Sequence, residues 1–183
     1  EEALLPTAAL GLPLRAGAIL AGAPFAELAR AVREHALPTA PLADLLSAFA
    51  QDVTVRRYPD FGSLTDYCRR SADPVGRLLL ALYRRASAEN LAASDAICTG
   101  LQLANFWQDV TVDLKKDRVY LPLHLFQRHG YSVEELFARR YTPAFRRVMI
   151  DAVDYAEALF QQGLPLIGKL DRRLSLDIDL FSR

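Results

Sequence analysis

The chain has 183 residues, enough for one domain or a large part of one, and its 51% hydrophobic content suffices for a substantial core. Twenty-two basic residues balance 22 acidic ones, so the basic excess that accompanies nucleic-acid binding is missing. No stretch approaches the roughly 18 consecutive apolar residues of a bilayer span, and the first residues do not read as a signal peptide.

In chain order, Gly11-Leu12-Pro13 reads as a connector. Apolar residues then recur at three- and four-residue spacing, the mark of helices, from Phe25 to His35 and, after Leu37-Pro38, from Leu42 to Val53. Asp60 is placed to cap a helix over Leu64 to Arg70. Pro74 cannot donate a backbone N–H to the carbonyl of Arg70, so a kink or break is expected before the next helix, Val75 to Arg85. A long helix is expected over Ala92 to Leu114, capped by Ser94 or Asn90.

Leu123 to Arg128 follows, then Ser132 to Arg139 with Ser132 and Glu135 spaced as a capping box. Pro143 to Leu159 begins with the proline that suits a first helical turn. Gly163-Leu164-Pro165 reads as a kink, and the charged tail from Lys169 reads as a surface helix with Leu170, Leu174, Leu176, Ile178 and Leu180 on one side. No segment alternates as a strand does. The expected fold is all-α.

Cys68 and Cys98 both fall on expected helices, which suits a reducing cytoplasmic compartment, with a bridge between them left open. His35, His124 and His129 are too scattered for a zinc motif.

The long helix carries the chemistry. Gln102, Asn105, Asp109 and Asp113 are three, four and four residues apart, so at about 100° per residue they share an arc of roughly 80°. Leu103, Phe106, Trp107, Val110 and Val112 fill most of the rest, which predicts a helix buried nearly all round, with its polar stripe lining a cavity. Carboxylate and amide oxygens are hard donors of the kind that hold Mg²⁺ together with substrate oxygens and water. Lys115, Lys116 and Arg118 follow, and an arginine fork suits phosphate oxygens. The alternative is a solvated face of i,i+4 charge pairs.

A second segment, YCRRSADPVG from Tyr67 to Gly76, sets a tyrosine before small residues. Ser71, Ala72 and Gly76 leave room for a ligand or a close neighbouring helix. Tyr67 itself also fits a core tyrosine with a satisfied hydroxyl.

Taken together these segments resemble the squalene/phytoene synthase family. The resemblance rests on Tyr67-Cys68, Ala72 and Gly76 in one signature. In the other it rests on Gly100, Gln102, Asn105, Gln108-Asp109, Asp113, Arg118, Tyr120 and Pro122. The wording QDVTVRRYPDF from Gln51 to Phe61, with NFWQDVTVD and RVYLP, is most similar to the bacterial hydroxysqualene synthase branch of hopanoid biosynthesis. Gln108 and Val112 stand where condensing relatives usually carry Arg and Glu.

The resemblance implies an isoprenoid synthase-type helical bundle around a central cavity. It implies Asn105, Asp109 and Asp113 as Mg²⁺ ligands, Gln102 and Arg118 beside the diphosphate, and Tyr67 next to the reacting carbons. Tyr67 would either stabilise a carbocation through its ring face or move a proton or hold diphosphate through its hydroxyl. Conversion of presqualene diphosphate to hydroxysqualene, without NADPH, is the implied reaction, with peripheral contact at the inner face of the membrane. A squalene or phytoene synthase, and a non-catalytic assembly protein of the same fold, are the alternatives. Buried carboxylates at Asp109 and Asp113 would favour the enzyme, because without a cation their burial is costly. The family's first aspartate-rich motif does not occur between Glu1 and Asp60, so residues 1–183 are expected to form a single partial domain, lacking that motif and the C-terminal helices.

Overall fold

A computed structural model describes residues 23–170. Gly11-Leu12-Pro13 and the tail beyond Leu170 lie outside the described residues. The chain divides into two compact units, Glu1–Thr39 and Ala40–Arg183. In the first, helix α1 (Ala23–Glu34) carries an exposed ladder in which Arg30 bridges Glu27 and Glu34.

The second unit begins with α2 (Ala40–Gln51). Asp60 then starts α3 (Phe61–Ser71), where its carboxylate accepts the Ser63 N–H at 2.8 Å in a complete capping box. The expected break follows at Ala72, and α4 (Asp73–Leu82) restarts with Pro74 in its first turn, where a missing N–H costs nothing.

The longest helices, α5 (Ala88–Gln108) and α9 (Pro143–Gly163), pack on each other, and α5 also meets α3 and α4. Helix α5 starts earlier than Ser94 or Asn90 would allow as caps. Ser87 is the cap, its hydroxyl accepting the Asn90 N–H at 3.2 Å, while the Asn90 side chain donates to the Arg85 carbonyl. Ser94 is buried against α4. A Cβ at Gly76 would collide with Ser94 Oγ and lie 2.7 Å from Cys98 Sγ, so the small residue serves helix contact there. Both cysteines are free thiols.

The expected single helix to Leu114 is interrupted. Asp109, at φ −94° and ψ 11°, caps α5, and the chain resumes as α6 (Val110–Asp113) and a 3-10 turn, Leu114–Lys116. Helix α7 (Leu123–His129) ends on Gly130 in the left-handed region at φ 62°, a conformation glycine adopts without penalty. The capping box of Ser132 and Glu135 opens α8 (Val133–Phe137), and Thr142 caps α9 ahead of Pro143. A 3-10 segment, Leu164–Lys169, follows without the kink breaking contact with α5. Among the described residues the only β pairing is a single parallel bridge, Arg57 to Val119.

The main core joins α3, α5, α7, α8 and α9 through fully buried Leu64, Cys68, Leu103, Leu125, Leu136 and Val148. At one side of that core the buried rings of Tyr58, Tyr67, Phe106 and Tyr120 gather.

Candidate active site

The polar stripe survives the helix break for a hydrogen-bonding reason. The Asp109 N–H reaches the Asn105 carbonyl and the Asp113 N–H reaches the Asp109 carbonyl, both at 2.9 Å. Those are i to i−4 bonds, so the three side chains keep one face. The environment differs from the expected one. Asn105, Gln108, Asp109 and Thr111 are exposed and Val112 is 43% exposed, while Leu103, Phe106 and Trp107 form the buried side. Packing against the core covers one side of α5, and no described residue covers the other. Exposed Asp109 therefore does not carry the desolvation cost expected of it, and only half-buried Asp113 does so in part.

Burial raises the Asp113 carboxyl above its ordinary range, Lys116 opposes this, and the Asp109 charge adds to it. The two carboxylates therefore repel each other. Two carboxylates and an amide oxygen are a hard donor set, and a divalent cation would relieve their repulsion, so the residues present fit Mg²⁺. Among the described residues no three His, Cys, Asp or Glu side chains converge on a metal position. Most of the ion's coordination would therefore come from water and ligand oxygens.

Arg118 is delivered to Asp113 by a stitched loop. Asp117 adopts the left-handed conformation at φ 56° and turns the chain back. Arg57 pairs with the Asp117 carboxylate at 2.5 Å and lies over the Phe137 ring, and Arg56 donates to the Lys116 carbonyl at 2.8 Å. The Val119 N–H bonds the Arg56 carbonyl and the Leu123 N–H bonds the Tyr58 carbonyl. The RRYPDF and KKDRVYLP segments thereby form one clamp. Its product is a small cleft lined by Phe106, Val110, Asp113, Arg118, Tyr120 and Leu136. Lys115 and Lys116 are exposed, and Gln102 lies half-buried on α5 one turn before Phe106.

Tyr67, on α3, is 4% exposed, with its ring 6.2 Å from both Phe106 and Tyr120 and 5.6 Å from Tyr58. Phe106 and Tyr120 stack at 3.7 Å. Burial, and then the influence of the Asp52 carboxylate, hold the Tyr67 phenol well above its ordinary range. The structure thus brings Asp113, Arg118 and Tyr67 around one aromatic wall, with Asn105 and Asp109 on the open side. Sequence reasoning did not single out Gln51, Asp52, Tyr58 or Tyr120 as site residues. All four lie in the QDVTVRRYPDF and RVYLP wording, where the signal was present.

A family model for squalene/phytoene synthase matches residues 16–181. The chain belongs to the squalene/phytoene synthase family. Among its relatives it is 37% identical to a hydroxysqualene synthase of Rhodopseudomonas palustris, matching 84% of this chain and 53% of that protein. It is 36% identical to a phytoene synthase of Thermus thermophilus, over 81% of this chain and 53% of that one. The chain spans about half the length of the curated relatives it matches. The crystal structure of squalene synthase HpnC from Alicyclobacillus acidocaldarius superposes with a TM-score of 0.85 at 37% identity, covering 92% of this chain and 64% of that one. The all-helical fold is therefore of the isoprenoid synthase type, as expected for a squalene/phytoene synthase.

Proposed function

We propose that this protein converts presqualene diphosphate to hydroxysqualene with loss of diphosphate. The observation that carries this reading is the juxtaposition of Asp113 and Arg118 with the Phe106 and Tyr120 rings around one cleft, with the Tyr67 ring packed 6.2 Å from both. A charged head and an apolar, carbocation-forming body need those two environments side by side. The resemblance to hydroxysqualene synthases supports it.

Arg118 would donate to the diphosphate oxygens, with Gln102 beside them, and the carbon–oxygen bond would break with both electrons leaving on the diphosphate. Mg²⁺ bound by Asn105, Asp109 and Asp113 would offset negative charge on that leaving group. The aromatic faces would stabilise the cyclopropylcarbinyl cation while it rearranges and would limit water access until capture. One water then adds to the rearranged cation and loses a proton, so no reductant is consumed and NADPH has no part. Because the product is nearly insoluble, the reading includes peripheral contact with the cytoplasmic face of a membrane. Exposed Val53 and Val112 flank Asp52 and Asp113 at the site.

The test is product analysis with protein expressed from its full reading frame. Presqualene diphosphate and Mg²⁺ should give hydroxysqualene, unchanged by added NADPH. Farnesyl or geranylgeranyl diphosphate alone should give little product. Efficient condensation of either would instead support the second reading, a squalene or phytoene synthase, to which the likeness to the Thermus phytoene synthase points. No turnover of any of the three would support a non-catalytic relative.

A further inference from the structure

The residues at the end of α2 touch the Tyr58 loop, α3 and Arg118. Gln51 Nε2 donates to the Tyr58 hydroxyl at 3.3 Å, and Gln51 Oε1 accepts from Arg70 Nη2 of α3 at 2.5 Å. The Asp52 backbone carbonyl accepts from Arg118 Nη2 at 2.9 Å, and Arg118 Nη1 reaches the Tyr120 hydroxyl at 3.4 Å. Asp52 Oδ1 is buried with no hydrogen-bond partner among the described residues. A buried carboxylate oxygen in that state is expensive. A residue with only a packing task would be cheaper as an amide or an aliphatic side chain. The Asp52 charge also acts on Tyr120, after burial, in the direction that keeps the phenol protonated, as it does on Tyr67.

We propose that Asp52 is a positioning residue, whose carboxylate takes the hydrogen bond of the Tyr67 hydroxyl while its backbone carbonyl sets Arg118. The inference rests on the reaction proposed above and settles the role of Tyr67 within it. With its proton committed to Asp52, Tyr67 does not protonate or hold the diphosphate. It offers an electron-rich ring and an oxygen lone pair to the cationic carbons. One residue then ties the cation-facing phenol to the diphosphate-facing guanidinium, across separations of 15 and 66 in the numbering of Asp52, Tyr67 and Arg118.

The test is a double-mutant cycle in protein from the full reading frame, with presqualene diphosphate and Mg²⁺. Asp52→Ala should lower kcat by about 10- to 100-fold, the usual cost of losing an outer partner of an active group. Asp52→Asn, which keeps an acceptor oxygen and the fold, should recover part of that loss. KM should stay within about threefold, because the backbone carbonyl that sets Arg118 remains. In a Tyr67→Phe background either substitution should change kcat by less than about threefold. Losses that multiply across the cycle, or a rise in KM that accounts for the fall in kcat/KM, overturn the proposal.

A second measurement does not depend on turnover. A fluorotyrosine at position 67 ionises nearer neutrality, and Asp52, Tyr58, Tyr120 and the Arg118 guanidinium are the charged and titratable groups that act on it. Asp52→Asn should lower its midpoint by about one pH unit, tenfold in ionisation constant; an unchanged midpoint overturns the proposal. If the wild-type protein leaves presqualene diphosphate untouched, the functional reading fails and the midpoint alone decides the coupling of Asp52 to Tyr67.

Discussion

Asp73 shows what a buried carboxylate costs in this fold. It is 4% exposed and accepts the Thr99 hydroxyl at 2.8 Å, yet burial pushes its carboxyl from 3.8 up to about 7, against the lowering effect of that hydrogen bond. A folded-state value above the unfolded one means that the native protein holds a proton the unfolded chain has lost. Stability from this group is complete below about pH 4 and is lost as the pH rises through 7, on the order of 1.4 kcal/mol per pH unit across the window. Asp73→Asn keeps the acceptor for Thr99 and removes the titration. Urea unfolding should therefore find the variant more stable than wild type at pH 8 and nearly equal to it at pH 4.

Tyr67, Asp113 and Arg118 were legible as candidate site residues because their neighbours in sequence carry the signal: a small-residue segment, a helical stripe and a basic run. Asp52 was not, since its task arises from meeting Tyr67 and Arg118 through the fold. Periodicity along one helix does not encode such a meeting. The expected burial of Asp109 failed for a related reason. Apolar residues around a helix show what could be covered, and the cover must come from another element.

At the scale of elements, caps decided where helices begin. Asp60, Ser132 and Thr142 stand at the starts of α3, α8 and α9; the first two were readable because a short polar side chain precedes an apolar period, and the third start was marked by Pro143 instead. For α5 the competing candidates Asn90 and Ser94 lie inside the helix, since Ser87 offers the same chemistry earlier. Ser87→Ala should cost about 1 kcal/mol, the typical loss for removing a side-chain cap, measured as a lower urea midpoint with an unchanged slope. Equal midpoints would mean that the helix start is held by tertiary packing alone. The break at Asp109 was hidden by a residue pattern that stays helical in period through Asp113. Its consequence is geometric: the i to i−4 bonds continue across the break, so Asn105, Asp109 and Asp113 remain on one face while the chain turns toward the Arg118 clamp.

For the whole molecule, the family relationship underlies the proposal of an enzyme that meets its lipid at a surface. No described helix is long and apolar enough to cross a membrane, and the contact proposed is peripheral. Val53→Glu combined with Val112→Glu should reduce cosedimentation with anionic vesicles while leaving the helical content unchanged; undiminished binding would place the contact elsewhere. The central claim is that the Asp109 and Asp113 face handles the diphosphate. Turnover of presqualene diphosphate by Asp109→Ala, measured beside wild type with Mg²⁺ in protein from the full reading frame, tests it most directly. Loss of about 100-fold or more in kcat/KM, the scale on which charge stabilisation of a leaving group acts, is the result predicted. Turnover equal to wild type would contradict it.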